Sequence, residues 1–93
     1  MPKQRRDTGE KNFIAPQLIK LRIYKGLSQR DLAHELQLNG YDIDKNVITR
    51  IETYQRYVTD LELKAFSEIF HISYSYLIDG IKTEEDRRLH PAL

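Results

Sequence analysis

Lys45, Asn46, Thr49 and Arg50 are the residues whose types and spacing point most directly to a chemistry. Positions 45, 46, 49 and 50 share one side of an α-helix at 3.6 residues per turn. Lys and Arg bind phosphate, while Arg and Asn can pair through two hydrogen bonds with guanine and adenine edges. A cation and an amide open this helix, where the helix dipole favours acids. Such a face suits presentation to a polyanion; an ordinary solvated helix surface is the competing reading. Nothing comparable supports catalysis or metal binding. His34, His71 and His90 share no metal-ligand spacing, and the chain has no cysteine. The carboxylates of Asp60 and Glu62, and of Glu84, Glu85 and Asp86, fall in capping or solvated contexts. There is no Gly-rich phosphate loop and no nucleophile–His pair. The expectation is a protein that is not an enzyme, with no cofactor and no small-molecule substrate.

The elements that must hold this face are also legible. Asp44 can cap the helix by accepting from free N–H groups of its first turn. Ile43 and Ile48 stand at staple positions, and Val47, Ile48 and Ile51 form an apolar stripe behind the polar face. Upstream, a first helix starts near Ile14, with Pro16 in its first turn, and ends at Lys25 with Gly26 as the left-handed residue. Ile14, Leu18 and Leu21 form its core stripe, with Ile19 and Ile23 beside it. A second helix follows, capped by Ser28 with Asp31 three residues on, and runs to Leu38 with Gly40 at the turn. Leu32, Ala33 and Leu36 point inward. Two abutting capped helices joined by a short link are a helix-turn-helix pattern. The helix starting at Asp44 ends near Thr53 or Tyr54. A fourth, heavily apolar helix opens with the capping box Thr59-x-x-Glu62, and a short fifth runs from Ser73 to Gly80. Tyr74, Tyr76, Leu77, Ile78 and Ile81 either close the core's end or form a self-association patch.

Size and charge bound the rest. At 93 residues and 40% hydrophobic content, the chain supports one small domain over residues 13–80. Residues 1–12 read as a disordered basic arm and residues 81–93 as a charged tail with room for one or two further helical turns. No apolar run approaches the roughly 18–20 residues of a membrane span, and no signal-peptide pattern is present. A cytoplasmic protein fits. Net charge is +1, but residues 1–57 carry eleven Lys/Arg against seven Asp/Glu, and residues 58–93 four against seven. A front of +4 and a rear of −3 would orient the molecule in the field of a duplex.

The order of pieces resembles the helix-turn-helix domains of phage repressors, the Cro and lambda-repressor or XRE-like family. The matching residues are Leu21-Arg22-x-x-x-Gly26-Leu27-Ser28-Gln29-x-x-Leu32-Ala33, then Val47-Ile48-Thr49-Arg50-Ile51-Glu52, then Arg56, the fourth-helix run, and Ile72-Ser73-x-x-x-Leu77. The match spans about residues 14–80. The resemblance implies an all-α, five-helix domain that binds double-stranded DNA as a transcriptional regulator, a repressor by type, and usually as a homodimer. It implies base reading by Lys45, Asn46, Thr49 and Arg50, and phosphate positioning by Ser28, Gln29, Arg30 and Arg56, with Gln29 alternatively supporting the reading helix. It also implies a structural salt bridge between Arg22 and Glu52. Tyr54 and Tyr57 could add hydroxyl-to-phosphate bonds, and the start of the second helix could hold a phosphate on its N–H groups. Two features depart from the family. The link before the reading helix is longer by about five residues, an extended turn. Tyr54 stands where the family often has Gly. A second reading keeps the fold as a protein-interaction or antitoxin-like module without DNA readout.

Overall fold

The computed structural model describes residues 10–93. Among these residues there are six helices and no strand: α1 (Ala15–Tyr24), α2 (Gln29–Leu38), α3 (Lys45–Glu52), α4 (Asp60–Phe70), α5 (Tyr74–Asp79) and α6 (Glu84–Leu89). The all-helical class is as expected; the count of five becomes six. No helix of the described residues is long and apolar enough to cross a membrane.

Local side-chain chemistry starts most of these helices. Ser28, Asp44, Thr59, Ser73 and Thr83 each accept from the backbone N–H three residues on, and Ser28, Thr59 and Thr83 complete reciprocal capping boxes with Asp31, Glu62 and Asp86. The ends of the first three helices share one geometry. Leu27 N–H donates to the Arg22 carbonyl, Tyr41 to Leu36 and Gln55 to Arg50, each across a left-handed residue. At the first two sites that residue is glycine. At the third it is Tyr54, with φ of +64°. The departure from the family pattern therefore changes the residue and keeps the left-handed turn, at a backbone cost of about 1–2 kcal/mol.

The first five helices close around Leu18, Leu21, Leu32, Leu36, Ile48, Ile51, Phe66, Phe70 and Leu77, all fully buried. α3 packs against both α1 and α2, and α5 against α1 and α4. Ile43 and Ile48 are both buried, as a staple requires. Ile23 is exposed, whereas it was placed beside the core stripe of α1. That helix is covered along its Leu18–Leu21 side only. Tyr76 and Leu77 are buried and leave the suggested self-association patch; Tyr74, Ile78 and Ile81 remain exposed.

The stretch read as a charged tail folds back onto the domain. Asp86 is buried, and its carboxylate accepts from Ser73 N–H at 3.0 Å, Ser73 Oγ at 2.5 Å and Thr83 N–H at 2.9 Å. One acid thus serves the starts of both α5 and α6. The buried His90 ring lies 3.0 Å from the His71 carbonyl and meets Tyr24 edge-on, and Leu93 packs against the core.

Candidate nucleic-acid interface

α3 is divided lengthwise. Ile48, Ile51 and Glu52 are buried on one side, while Lys45, Asn46 and Arg50 are exposed on the other. Asp44 caps the helix through a 3.0 Å bond from Val47 N–H. Lys45, Arg50 and Arg30 form no ion pair with any described residue. Three cations and an amide therefore stand in solvent without an internal claim on them.

The buried side of α3 is pinned by a chain of polar contacts. Glu52 accepts from Arg22 Nε at 2.7 Å and from Arg22 Nη2 at 3.0 Å, a two-pronged ion pair. Arg22 Nη1 also donates to the Leu27 carbonyl at 3.0 Å, which ties the end of α1 into the same knot. Gln29 Nε2 donates to Glu52 Oε1 at 2.8 Å, and Gln29 Oε1 accepts from Thr49 Oγ at 2.7 Å. Three helices thus meet at one carboxylate. Its charge is sheltered from water but saturated with donors, the condition under which a buried carboxylate is tolerated.

Of this chain of contacts, Thr49 was expected at the DNA surface and Gln29 either there or as a support of α3. Thr49 is half-buried, and its single hydroxyl proton is directed at Gln29, with the Lys45 carbonyl 3.0 Å away as the other acceptor. It braces α3 where base reading was expected. Gln29 has both ends of its amide occupied, so it supports α3 and is not held out for phosphate. Ser28 accepts from Asp31 N–H at 3.0 Å, and Asp31 accepts from Ser28 N–H at 3.1 Å. These bonds take two of the N–H groups that a phosphate at the start of α2 would use. The bonds from Ser28 hold the Asp31 carboxyl below the usual carboxylate range, keeping an anion at that helix start.

Arg56 also departs from its expected part. Its guanidinium pairs with Glu62. Glu62 is buried because it completes the α4 capping box with Thr59, and a buried anion draws the nearest cation. That pairing offsets the charge Arg56 would bring to a phosphate. Tyr54 is half-buried, whereas Tyr57 is exposed with Lys11 Nζ 5.5 Å from its ring centre.

Asn12 was assigned to the arm, yet it is buried and holds the far end of α3. Its Nδ2 donates to the Ile51 carbonyl at 3.1 Å and to the Arg56 carbonyl at 3.0 Å, and its Oδ1 accepts from Ala15 N–H at 2.9 Å. Lys11 N–H adds a bond to the Tyr54 carbonyl at 3.2 Å. The signal in the sequence was an Asn shortly before a helix start, but its two carbonyl partners lie some 40 residues away. Residues 1–9 of the expected arm lie outside the described residues.

The extended link occupies residues 39–44 between α2 and α3. Gly40 takes φ of +89°, Tyr41 donates to Glu68 on α4, and Gln37 Nε2 reaches the Ile43 carbonyl at 3.3 Å. The added residues are thus tied to α2 and α4, and α3 keeps its seat on α1 and α2. The chain matches no protein-family model, no curated protein and no solved structure.

Proposed function

We propose that this chain is a sequence-specific double-stranded DNA-binding regulator, a repressor by type, that reads the major groove with the exposed edge of α3. The observation that carries this reading is the lengthwise division of α3. Its buried side is fixed to α1 and α2 through Arg22, Glu52, Gln29 and Thr49, while Lys45, Asn46 and Arg50 remain in water without internal partners among the described residues. Fixed backing lowers the conformational cost of presenting those side chains to a groove. Arg50 suits guanine and Asn46 adenine, and Lys45 and Arg30 suit phosphate. Two copies on a two-fold site, with reading helices about 34 Å apart, would give the specificity that eight residues of helix alone do not.

A gel shift with genomic fragments tests this, wild type beside Lys45→Glu/Arg50→Glu. The wild type is expected to retard a subset of fragments and the double variant none. Wild-type affinity should fall by at least about tenfold between 50 and 200 mM salt as counterions are released from the duplex. Retardation by both proteins alike, or affinity insensitive to salt, contradicts the reading.

A further inference from the structure

We propose that the face formed by Phe13, Tyr57, Leu61, Leu63, Tyr74 and Ile78 is where a second copy of this chain docks, about a two-fold axis near Leu63. Two open grooves run along this face. One, of about 340 Å³, is lined by Lys11, Phe13, Tyr57, Leu63 and Ile78 among others. The other, of about 400 Å³, is lined by Asp60, Leu61, Leu63, Lys64 and Tyr74. Leu63 belongs to both, so the two form one continuous apolar strip.

The amount of apolar surface fits a dimer. Phe13 is 59% exposed, Tyr57 66%, Leu61 62%, Tyr74 48% and Ile78 39%. At roughly 200 Å² per large side chain, these exposures come to about 500 Å². A standard interface covers about 800 Å² per partner, and homodimer interfaces are about 65% apolar, which again means about 500 Å² of apolar surface.

Charge selects the occupant. The strip carries Lys11 at one end and both Asp60 and Lys64 at the other. A polyanion or an acidic membrane surface would be met by one sign, and this rim has two. A two-fold contact lays the strip against itself in reverse, bringing Lys11 of each copy towards the mixed-charge Asp60 and Lys64 end of the other, where Asp60 can take it as a partner. Tyr57 and Lys11 also lie next to the far end of α3, through the bonds of Lys11 to Tyr54 and of Asn12 to Ile51. Pairing here therefore joins two copies beside their reading helices.

In giving the dimer a face, the inference rests on the preceding reading only for the symmetry of the DNA site. Masses are measured without DNA, so either can fail alone. Sedimentation equilibrium of the wild type should show mass rising with concentration from 11.1 kDa towards twice that value. Leu61→Glu should weaken self-association by about tenfold or more. Lys11→Glu should weaken it less, and adding Asp60→Lys should restore it. Leu38→Glu, an equally exposed apolar position at the end of α2, should leave the mass curve unchanged. Circular dichroism confirms that each variant is folded. A wild type that stays at 11.1 kDa at millimolar concentration overturns the proposal. So does a dimer that ignores Leu61→Glu, or a charge reversal that fails to restore pairing.

Discussion

Arg22 and Arg50 carry the same charge and do opposite work. Arg22 is largely buried against Glu52, and removing it leaves that carboxylate in a low-dielectric site with only Gln29 as a donor. Stranding a buried charge costs about 3 kcal/mol, whereas an exposed side chain without internal partners changes stability by about 0.5 kcal/mol or less. Arg22→Ala should therefore lower the melting temperature by roughly 12 °C or more, and Arg50→Ala by a few degrees at most. Thermal melts of the two variants check this, and the reverse order would contradict it. The pair was expected from the resemblance that the sequence carries to phage-repressor domains, and the structure places the two side chains together. The roles of Thr49, Arg56 and Asn12 were not expected, and Gln29 was left open between phosphate contact and support of α3. A side chain's type allows a bond to phosphate or to a neighbour equally, and only the approach of Glu52, Glu62 or Ile51 across 6 to 39 residues of chain decides.

At the scale of elements, caps were the most readable feature, since a cap needs only its own turn. Ser28, Asp44, Thr59 and Ser73 all start helices where the sequence places them. Thr83 and Asp86 carry the same signature in the stretch read as a tail, where the surrounding charges made solvation the simpler reading. What distinguishes Asp86 from exposed Glu84 and Glu85 is the start of α5, whose Ser73 N–H and hydroxyl it accepts. Burial raises its pKa, but the bonds from Ser73 and Thr83 together outweigh this and hold it below the ordinary Asp range. A depressed folded-state pKa contributes stability that is present above the unfolded-state value and lost as pH falls through the folded-state one. Asp86→Asn should therefore be less stable than the wild type at neutral pH. The gap should close as the solution is acidified through and below the Asp range. Urea unfolding over a pH series measures this; a gap that stays constant into acid would show that the charge does not hold α6 in place.

Over the whole molecule, formal charge is +4 over residues 1–57, of which +2 falls on residues 1–9 outside the described residues, and −3 over residues 58–93. α1 to α3 belong to the first stretch and α4 to α6 to the second, so on the proposed function the exposed edge of α3 lies in the stretch that a duplex would attract. That division was readable from charge alone. The apolar strip across α4, α5 and Phe13 was readable only in part: Tyr74 and Ile78 were among the candidate self-association residues, whereas Tyr76 and Leu77 close the core, the other reading given for that group. The measurement that bears most directly on the central claim is selection of bound duplexes from a randomised library, with wild type, Asn46→Ala and Arg50→Ala in parallel. The wild type should enrich a two-fold symmetric site. Each variant should lose discrimination of about 1–3 kcal/mol at one base pair per half-site while still binding DNA. Enrichment of no sequence by the wild type, or the same site recovered unchanged by both variants, would contradict the claim that the exposed edge of α3 reads DNA.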